Sequence, residues 1–565
     1  MRFDTERWRG YWQGAWHDDL VAAFVVSVLL IPQSLAYALL AGLPPEAGLY
    51  ASLLPLVAYA ALGSSPAMGV GPVAVLALMI SQAIGDAPAG ATPHAAALVL
   101  AAEVGLMLAL AGWLRLDALA ALLSVPVLHG FETGAALSIL LSQLPVLAGA
   151  SAHGSNLPQV LQSWIGAQTP WLPLTALYGG VALAALWLSR RHTMRLLARR
   201  LSPRRAALLA RLAPLVVLML AMAVAAATNA GARGVELVGA LPELAWGAVL
   251  PPLDPALWRA MLPNAALIAL VTFVSSLVVA ESLARRQGVR IAPRRELAGL
   301  AAANLAAAVS AGMPVAGSFT RSVVNLDAGA RTRMAGVFTA VLMGVAMWLL
   351  AEPLAMLPTA VLAATIIVAI VAVLDWRPFG AAWRYDRIEG LLMAVVAALT
   401  LLAGVAWALG VGVAASIALL LRRTARPHVA LIGRVPDTEH YRNVGRHDVQ
   451  LIPGVVGMRI DESLLFVNAR QLSDVVLQQL GRYPDTRRVV LLMSPVNRID
   501  FSGFVALHAL HDALAARHVR LDLSEVKGPV LDALHGGGWT QWFAGRVYLS
   551  HHQAMEDVHE APHLR

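Results

Sequence analysis

Cysteine is missing from all 565 residues, which excludes disulfides and thiolate-held metals. Charge is scarce too. Asp, Glu, Lys and Arg make up 13% of the chain against 58% hydrophobic residues, and the mean hydropathy is +0.67. That balance belongs to a polytopic membrane protein rather than a soluble enzyme. No Walker A sequence, nucleophile elbow or metal-ligand cluster is found, so an enzyme is the least expected class and neither a cofactor nor a metal is implied. The opening "MRFDTERWRGYWQGAWHDDL" lacks the apolar core and small-residue cleavage site of a signal peptide.

Apolar segments of spanning length recur from Leu20 to Leu421, after which charge density and histidine content rise. The expected organisation is an interfacial N-terminal segment (1–19), a membrane domain (20–424) and a cytoplasmic domain (425–565), the last of normal domain size. Trp8, Trp12 and Trp16 recur every fourth residue, which suits an anchor lying along the membrane surface. A soluble helix packing its tryptophans on the C-terminal domain is the alternative.

The net charge of +8 follows topology rather than nucleic acid, since no recognition motif or aromatic interleaving accompanies the arginines. Alternating some fourteen spans from a cytoplasmic N-terminus puts "SRRHTMRLLARRLSPRRAALLARL", "ARRQGVRIAPRREL", "DWRPFGAAWRYDR" and "RRTARPH" inside. The loop 142–170, with no Lys or Arg, falls outside. This positive-inside pattern places both termini in the cytoplasm. The Ala- and Arg-rich composition suggests a bacterial inner membrane.

Two spans are irregular in the same way. "SSPAMGVGPVAVLALM" (64–79) and "AGMPVAGSFTRSVVN" (311–325) each join a Pro- and Gly-broken stretch to a helix start, in the third and tenth spans. Pro72 suits a first helical turn and Ser318 an N-cap. Interrupted segments at matching places in two halves point to a transporter's substrate site. The two spans run in opposite directions, so two half-helix N-termini would face each other and favour an anion. Arg321 adds a full charge at a depth where one costs ~2.5–3.5 kcal/mol; the alternatives are snorkelling or pairing with Asp327. Pro32 should distort the first span. Gln33 and Tyr37, one turn apart, offer polar groups there or serve helix packing.

"IPQSLAYALLAGLPPEAGLYASLLPLVAYAALGSS", "VAGSFTRSVV" with the following "GARTRMAGV", and "GRVPDTEHYRNVGRHDVQLIPGVVGMRIDESLLFVNA" resemble the sulfate permease (SulP) family with its C-terminal STAS domain, over nearly the whole chain. The resemblance implies fourteen segments in two inverted seven-segment repeats, forming core and gate domains. It also implies a homodimer and elevator-type alternating access for a small inorganic or organic anion. By position, Gln33, Tyr37, Val73, Ala74, Ser318, Phe319, Thr320 and Arg321 would line the site, with Val73 where mammalian relatives have an aromatic. Many relatives carry a carboxylate in the eighth span that is linked to H+ or Na+ coupling. Here Ser275 aligns with it, and Glu281 reads as an interfacial ion-pair partner. Glu103 and Glu132, at membrane depth in the fourth and fifth spans, are the candidate replacements.

From Pro427 onward short strands alternate with helices, which indicates an α/β domain. "RIDFSGFVALHAL" resembles the STAS loop-to-helix motif, with Asp500 ending a strand. Phe501 stands where stand-alone relatives have a phosphorylated serine, and Ser502 reads as an N-cap. His508, His511 and His518 read as solvated residues rather than metal ligands. Two other functions fit the same architecture: a nucleobase permease, and a sensory or voltage-responsive membrane protein signalling through the STAS domain. The sequence does not separate sulfate, bicarbonate and dicarboxylates.

Overall fold

The computed structural model describes residues 11–116, 124–150, 156–166, 172–200, 202–240, 249–425 and 428–557. Trp8 lies outside them, as does the side chain of Trp12. Of the expected tryptophan face Trp16 remains, its ring 3.5 Å from that of His17.

The first helical series is α1 (Trp16–Leu40), α2 (Pro45–Tyr50), α3 (Leu54–Leu62), β1 (Gly69–Gly71), α4 (Ala74–Gly85), α5 (Pro93–Trp113), α6 (Val125–Leu147), α7 (Leu157–Gly166), α8 (Pro173–Leu197) and α9 (Pro203–Ala227). A second follows: α10 (Pro255–Gln287), α11 (Pro293–Val309), β2 (Ala316–Ser318), α12 (Phe319–Asp327), α13 (Met334–Ala355), α14 (Thr359–Val373), α15 (Arg377–Tyr385), α16 (Arg387–Leu402) and α17 (Val405–Ala425). Each series puts a three-residue strand and a short helix in its third span. Eight described helical stretches are long and apolar enough to cross a membrane. With 12 and 9 residues, α4 and α12 are too short to do so alone.

Local sequence explains the starts. Proline occupies the first turn of α5, α8, α9, α10 and α11, where its missing N–H costs nothing. Thr92 and Asp254 cap α5 and α10 by accepting the amides of Ala95 and Ala256. Pro32 does not break α1, which runs unbroken to Leu40; packed neighbours hold a proline-containing span together. The fifth span, expected over 118–143, is helical from Val125, and 118–123 lie outside the described residues. Small residues let helix backbones meet. A Cβ on Gly130 or Gly134 would come within 2.5 Å of the Met393 or Ala397 carbonyl oxygen of α16, and one on Gly105 within 2.9 Å of the Leu305 amide of α11.

Contacts divide the chain between Ser416 and Ile417, inside α17. The C-terminal unit contains β3 (Val429–Arg434), β4 (Tyr441–Asn443), β5 (Val455–Ile460), α18 (Ala469–Leu480), β6 (Arg488–Leu492), α19 (Phe501–Ala515), β7 (Arg520–Ser524), α20 (Gly528–Gly536), β8 (Val547–Tyr548) and α21 (His551–Glu556). Its sheet has the order β4-β3-β5-β6-β7-β8, antiparallel on the β4 side and parallel from β5 onward. Leu472 and Val476 of α18 and Leu507, Leu510 and Leu514 of α19 build the main core with Val489, Leu491 and Leu521. Ala554 and Met555 of α21 pack with Ile432, Val490 and Leu492.

His551 starts α21 inside that second layer. It is 3% exposed, Nδ1 lies 2.8 Å from Ser524 Oγ, the Tyr441 ring meets it edge-on, and Nε2 has no partner. Burial first, and then the Arg488 charge, lower its pKa from 6.5 to about 4. The native state therefore binds the proton less readily than the unfolded chain does. Stability is full above pH 6.5 and falls as pH drops towards 4, by roughly 3 kcal/mol at ~1.4 kcal/mol per unit. Hydrogen exchange in β7 and α21 of the full-length protein should accelerate over that window, and His551→Gln should flatten the dependence.

Candidate anion-binding site

β1 and β2 pair antiparallel, with Gly69 opposite Ser318, Val70 opposite Gly317 and Gly71 opposite Ala316. Each helix begins where its strand ends, so α4 and α12 leave the ribbon in opposite directions with their N-terminal dipole ends turned towards it. Ser318 caps α12 as expected, its Oγ 3.5 Å from the Arg321 amide. Pro72 differs from expectation. Val73 is the N-cap of α4 and Ala74 its first residue, so Pro72 precedes the helix and its carbonyl is free to accept.

That carbonyl accepts from Arg321. The guanidinium is 1% exposed; Nη1 donates to Pro72 O at 2.7 Å and stands 3.5 Å from Gln33 Oε1. Nε and Nη2 have no partner, and among the described residues no carboxylate pairs with it. Arg321 neither snorkels nor meets Asp327, which lies 3.9 Å from Arg286 instead. Tyr37, 7% exposed, interacts electrostatically with the guanidinium. A Cβ on Gly71, whose φ is +154°, would sit 3.4 Å from Nη2 and 3.8 Å from Ser52 Oγ. Ser52 in turn shares a 2.7 Å hydrogen bond with Ser34. Val73 and Thr320 are half-buried, Ala74 is buried, and Phe319 is 51% exposed.

Four bracing residues escaped the sequence reading. Ser322 Oγ accepts the Gly69 amide at 2.9 Å and donates to Ser318 O at 2.6 Å. Ser276 Oγ accepts the Gly317 amide at 2.9 Å. Asn304 accepts the Val315 amide at 2.9 Å and donates to the Val315 carbonyl at 3.0 Å. Asn325 donates to Ala67 O at 3.0 Å. The available signal was a lone polar residue in an alanine-rich span, as at Asn304. Ser275 takes no part, since its hydroxyl donates to Val271 O in its own helix.

The two candidate carboxylates differ. Glu132 is half-exposed and lies 3.4 Å from His129. Glu103 is 3% exposed, and neither oxygen has a partner. In the C-terminal unit Asp500, not Ser502, caps α19: it accepts the Gly503 amide at 2.8 Å and that of Phe466 at 2.7 Å. The helix begins one residue after the aspartate, which leaves Ser502 exposed in its first turn. His508 and His511 are not simply solvated. His508 stacks on Trp542 at 4.1 Å, and His511 sits between Trp542 and Phe543 and accepts the Ala544 amide.

Replacing Asn304 with Ala should strand both polar groups of Val315, at about 1–3 kcal/mol each. A lowered melting temperature of the solubilised protein would show it, and Asn304→Gln should not rescue it because the longer side chain cannot make both bonds.

The sulfate permease family model matches residues 16–396 and the STAS domain model residues 446–554. "Probable sulfate transporter 4.2" of Arabidopsis thaliana is 31% identical, covering 96% of this chain and 81% of that protein. A probable sulfate transporter of Mycobacterium tuberculosis is 32% identical, covering 91% and 90%. Murine Slc26a9, an anion transporter solved in the inward-facing state, shares the fold with a TM-score of 0.85 at 22% identity, covering 96% of this chain and 91% of that one. The transmembrane domain of the cyanobacterial bicarbonate transporter BicA gives 0.60 at 22%, covering 71% and 97%. The chain belongs to the sulfate permease family of anion transporters and carries that family's architecture, a helical multi-pass membrane domain followed by a STAS domain.

Proposed function

We propose that this protein is a secondary active transporter of small anions, which bind between the starts of α4 and α12 beside Arg321. One observation carries the reading. A buried guanidinium with two unpartnered nitrogens and, among the described residues, no carboxylate beside it is strongly disfavoured unless a counter-charge arrives. Two helix N-termini at the same place favour the same sign of ligand. Gln33, Tyr37, Val73, Ala74, Ser318, Phe319 and Thr320 form the surroundings. Sulfate leads the candidates because the curated relatives bear that name, with bicarbonate and dicarboxylates next. Movement is elevator-type, in a homodimer of the bacterial inner membrane with both termini cytoplasmic.

Glu103 is the proton-coupling group. It lies midway along α5, which packs on α4, α10 and α11. The other ionisable residues of these helices lie towards helix ends: His94 on α5, Arg259, Glu281, Arg285 and Arg286 on α10, and Arg294, Arg295 and Glu296 on α11. An unpartnered carboxylate at that depth is costly as an anion, which suits Glu103 to take up and release a proton during transport. Gly105 meets Leu305, the residue after Asn304, so a change at Glu103 is felt where α11 holds the β2 segment.

Radiolabelled sulfate uptake into liposomes, with and without an inward proton gradient, tests both parts. Arg321→Ala should raise KM tenfold or more, roughly the loss of charge-assisted bonds. Glu103→Gln should keep sulfate exchange but lose stimulation by the gradient. Undiminished uptake in the first variant would remove the arginine from the site, and retained stimulation in the second would remove Glu103 from coupling.

A further inference from the structure

α1, α9 and α13 are odd-numbered spans, so by the charge pattern all three begin on the cytoplasmic side. Just inside their starts they border an open crevice of about 380 Å³ lined by Leu20, Val21, Phe24 and Val25 of α1, Leu212 of α9 and Leu342 of α13. Among the described residues the lining contains no polar side chain. At ~1.5 Å per residue these positions lie roughly 6–14 Å from the helix starts, a common depth within one leaflet. Leu20, Val21 and Phe24 are exposed, Phe24 by 51%.

The start of α9 and the hairpin that joins it to α8 are strongly cationic. Between Glu132 and Glu236 the chain has no acidic residue, and the α8–α9 hairpin within that interval carries arginines at 190, 191, 195, 199, 200, 204, 205 and 211. Arg195, Arg199 and Arg200 are exposed. The acids at the start of α1 do not cancel this charge. Asp18 pairs with Arg331 at 2.7 Å, and Asp19 is buried and accepts the amides of Arg331 and Thr332.

We propose that this crevice is the binding site of an anionic glycerophospholipid, with an acyl chain between α1, α9 and α13 and the phosphate held by Arg199 and Arg200 of the α8–α9 hairpin. The depth favours hydrocarbon over a polypeptide segment, and the sign of the charge favours an anionic headgroup over a zwitterionic one. α1 carries Gln33 and contacts α12, whereas α9 packs chiefly on α8 and to a lesser extent on α1. The lipid thus joins the helix bearing the anion site to one outside it. If the elevator reading holds, that lipid lies where the two bodies slide. The site itself does not depend on that reading.

Native mass spectrometry of the full-length protein, released from nanodiscs of phosphatidylcholine with and without phosphatidylglycerol, tests the proposal. Phosphatidylglycerol should be retained preferentially. Arg199→Gln and Arg200→Gln should each reduce the preference about fivefold, the factor corresponding to ~1 kcal/mol per arginine. Leu212→Trp should fill the crevice and abolish retention of either lipid, and Leu342→Phe provides a second filling should the first variant fail to fold. Equal retention of both lipids by the unaltered protein, or retention untouched by the filling variants, would overturn the site. Sulfate binding measured alongside keeps this outcome separate from the fate of the Arg321 reading.

Discussion

A backbone that leaves the helix inside hydrocarbon must find a partner for every amide and carbonyl it frees. The rest of the membrane domain is arranged around that requirement. Two broken spans free such groups at one depth, and pairing β1 with β2 lets each repair the other. The ribbon is only three residues long on each side, so side chains must finish the task. Ser322, Ser276, Asn304 and Asn325 do so from α12, α10 and α11. Glycine at position 71 follows from the backbone the ribbon imposes, since its φ of +154° is one that L side chains rarely adopt. The two helix starts are held apart and aimed at one place as a consequence of backbone satisfaction.

Buried charges in the membrane domain fall into satisfied and unsatisfied ones. Glu296 is fully buried, yet its oxygens accept Tyr59 OH at 2.7 Å, the amides of Ser64 and Ser65 at 2.9 Å and the Ser64 hydroxyl. Asp19 is equally buried and equally satisfied. Arg321 and Glu103 are buried to the same degree but leave polar atoms unpaired. A protein can bury a satisfied carboxylate for rigidity, whereas an unsatisfied charge at depth is retained only where a ligand or proton completes it in some state. That contrast is why Arg321 and Glu103 stand at the centre of the proposed mechanism while Glu296 and Asp19 do not.

Legibility followed the size of the anomaly. The broken third and tenth spans and Arg321 were readable because Pro, Gly and a charge are conspicuous in apolar sequence. The Ser318 cap and the α/β pattern after Pro427 were readable because they are local. The bracing residues were not. A serine or asparagine in an alanine-rich helix says nothing of the face it occupies, and Ser275 and Ser276 differ by one 100° step that only packing resolves. Glu296 was hidden in "ARRQGVRIAPRREL", where the surrounding arginines read simply as a cytoplasmic loop. Pro72 was placed inside a helix that starts two residues later, an error at a boundary, where sequence reading is weakest. Asp500 and Ser502 were confused for the same reason.

The two satisfied carboxylates also bear on how the domain can move. Asp19 ties the start of α1 to the segment before α13, and Glu296 ties the start of α11 to the turn after α3. Gly63 O accepts from Arg295 and Arg333, which draws α3, α11 and α13 together at one point. With the β1–β2 ribbon and the α5–α11 contact, these bonds cross-link the first four spans of one repeat to the first four of the other. The glycine seam of α6 on α16 and the packing of α14 on α6 and α8 belong to different helices. Displacing one helix of the cross-linked set would expose a buried carboxylate or break the ribbon. Shifting the set as a whole breaks none of these bonds, and that asymmetry supports the elevator-type movement proposed above over opening the proposed site helix by helix.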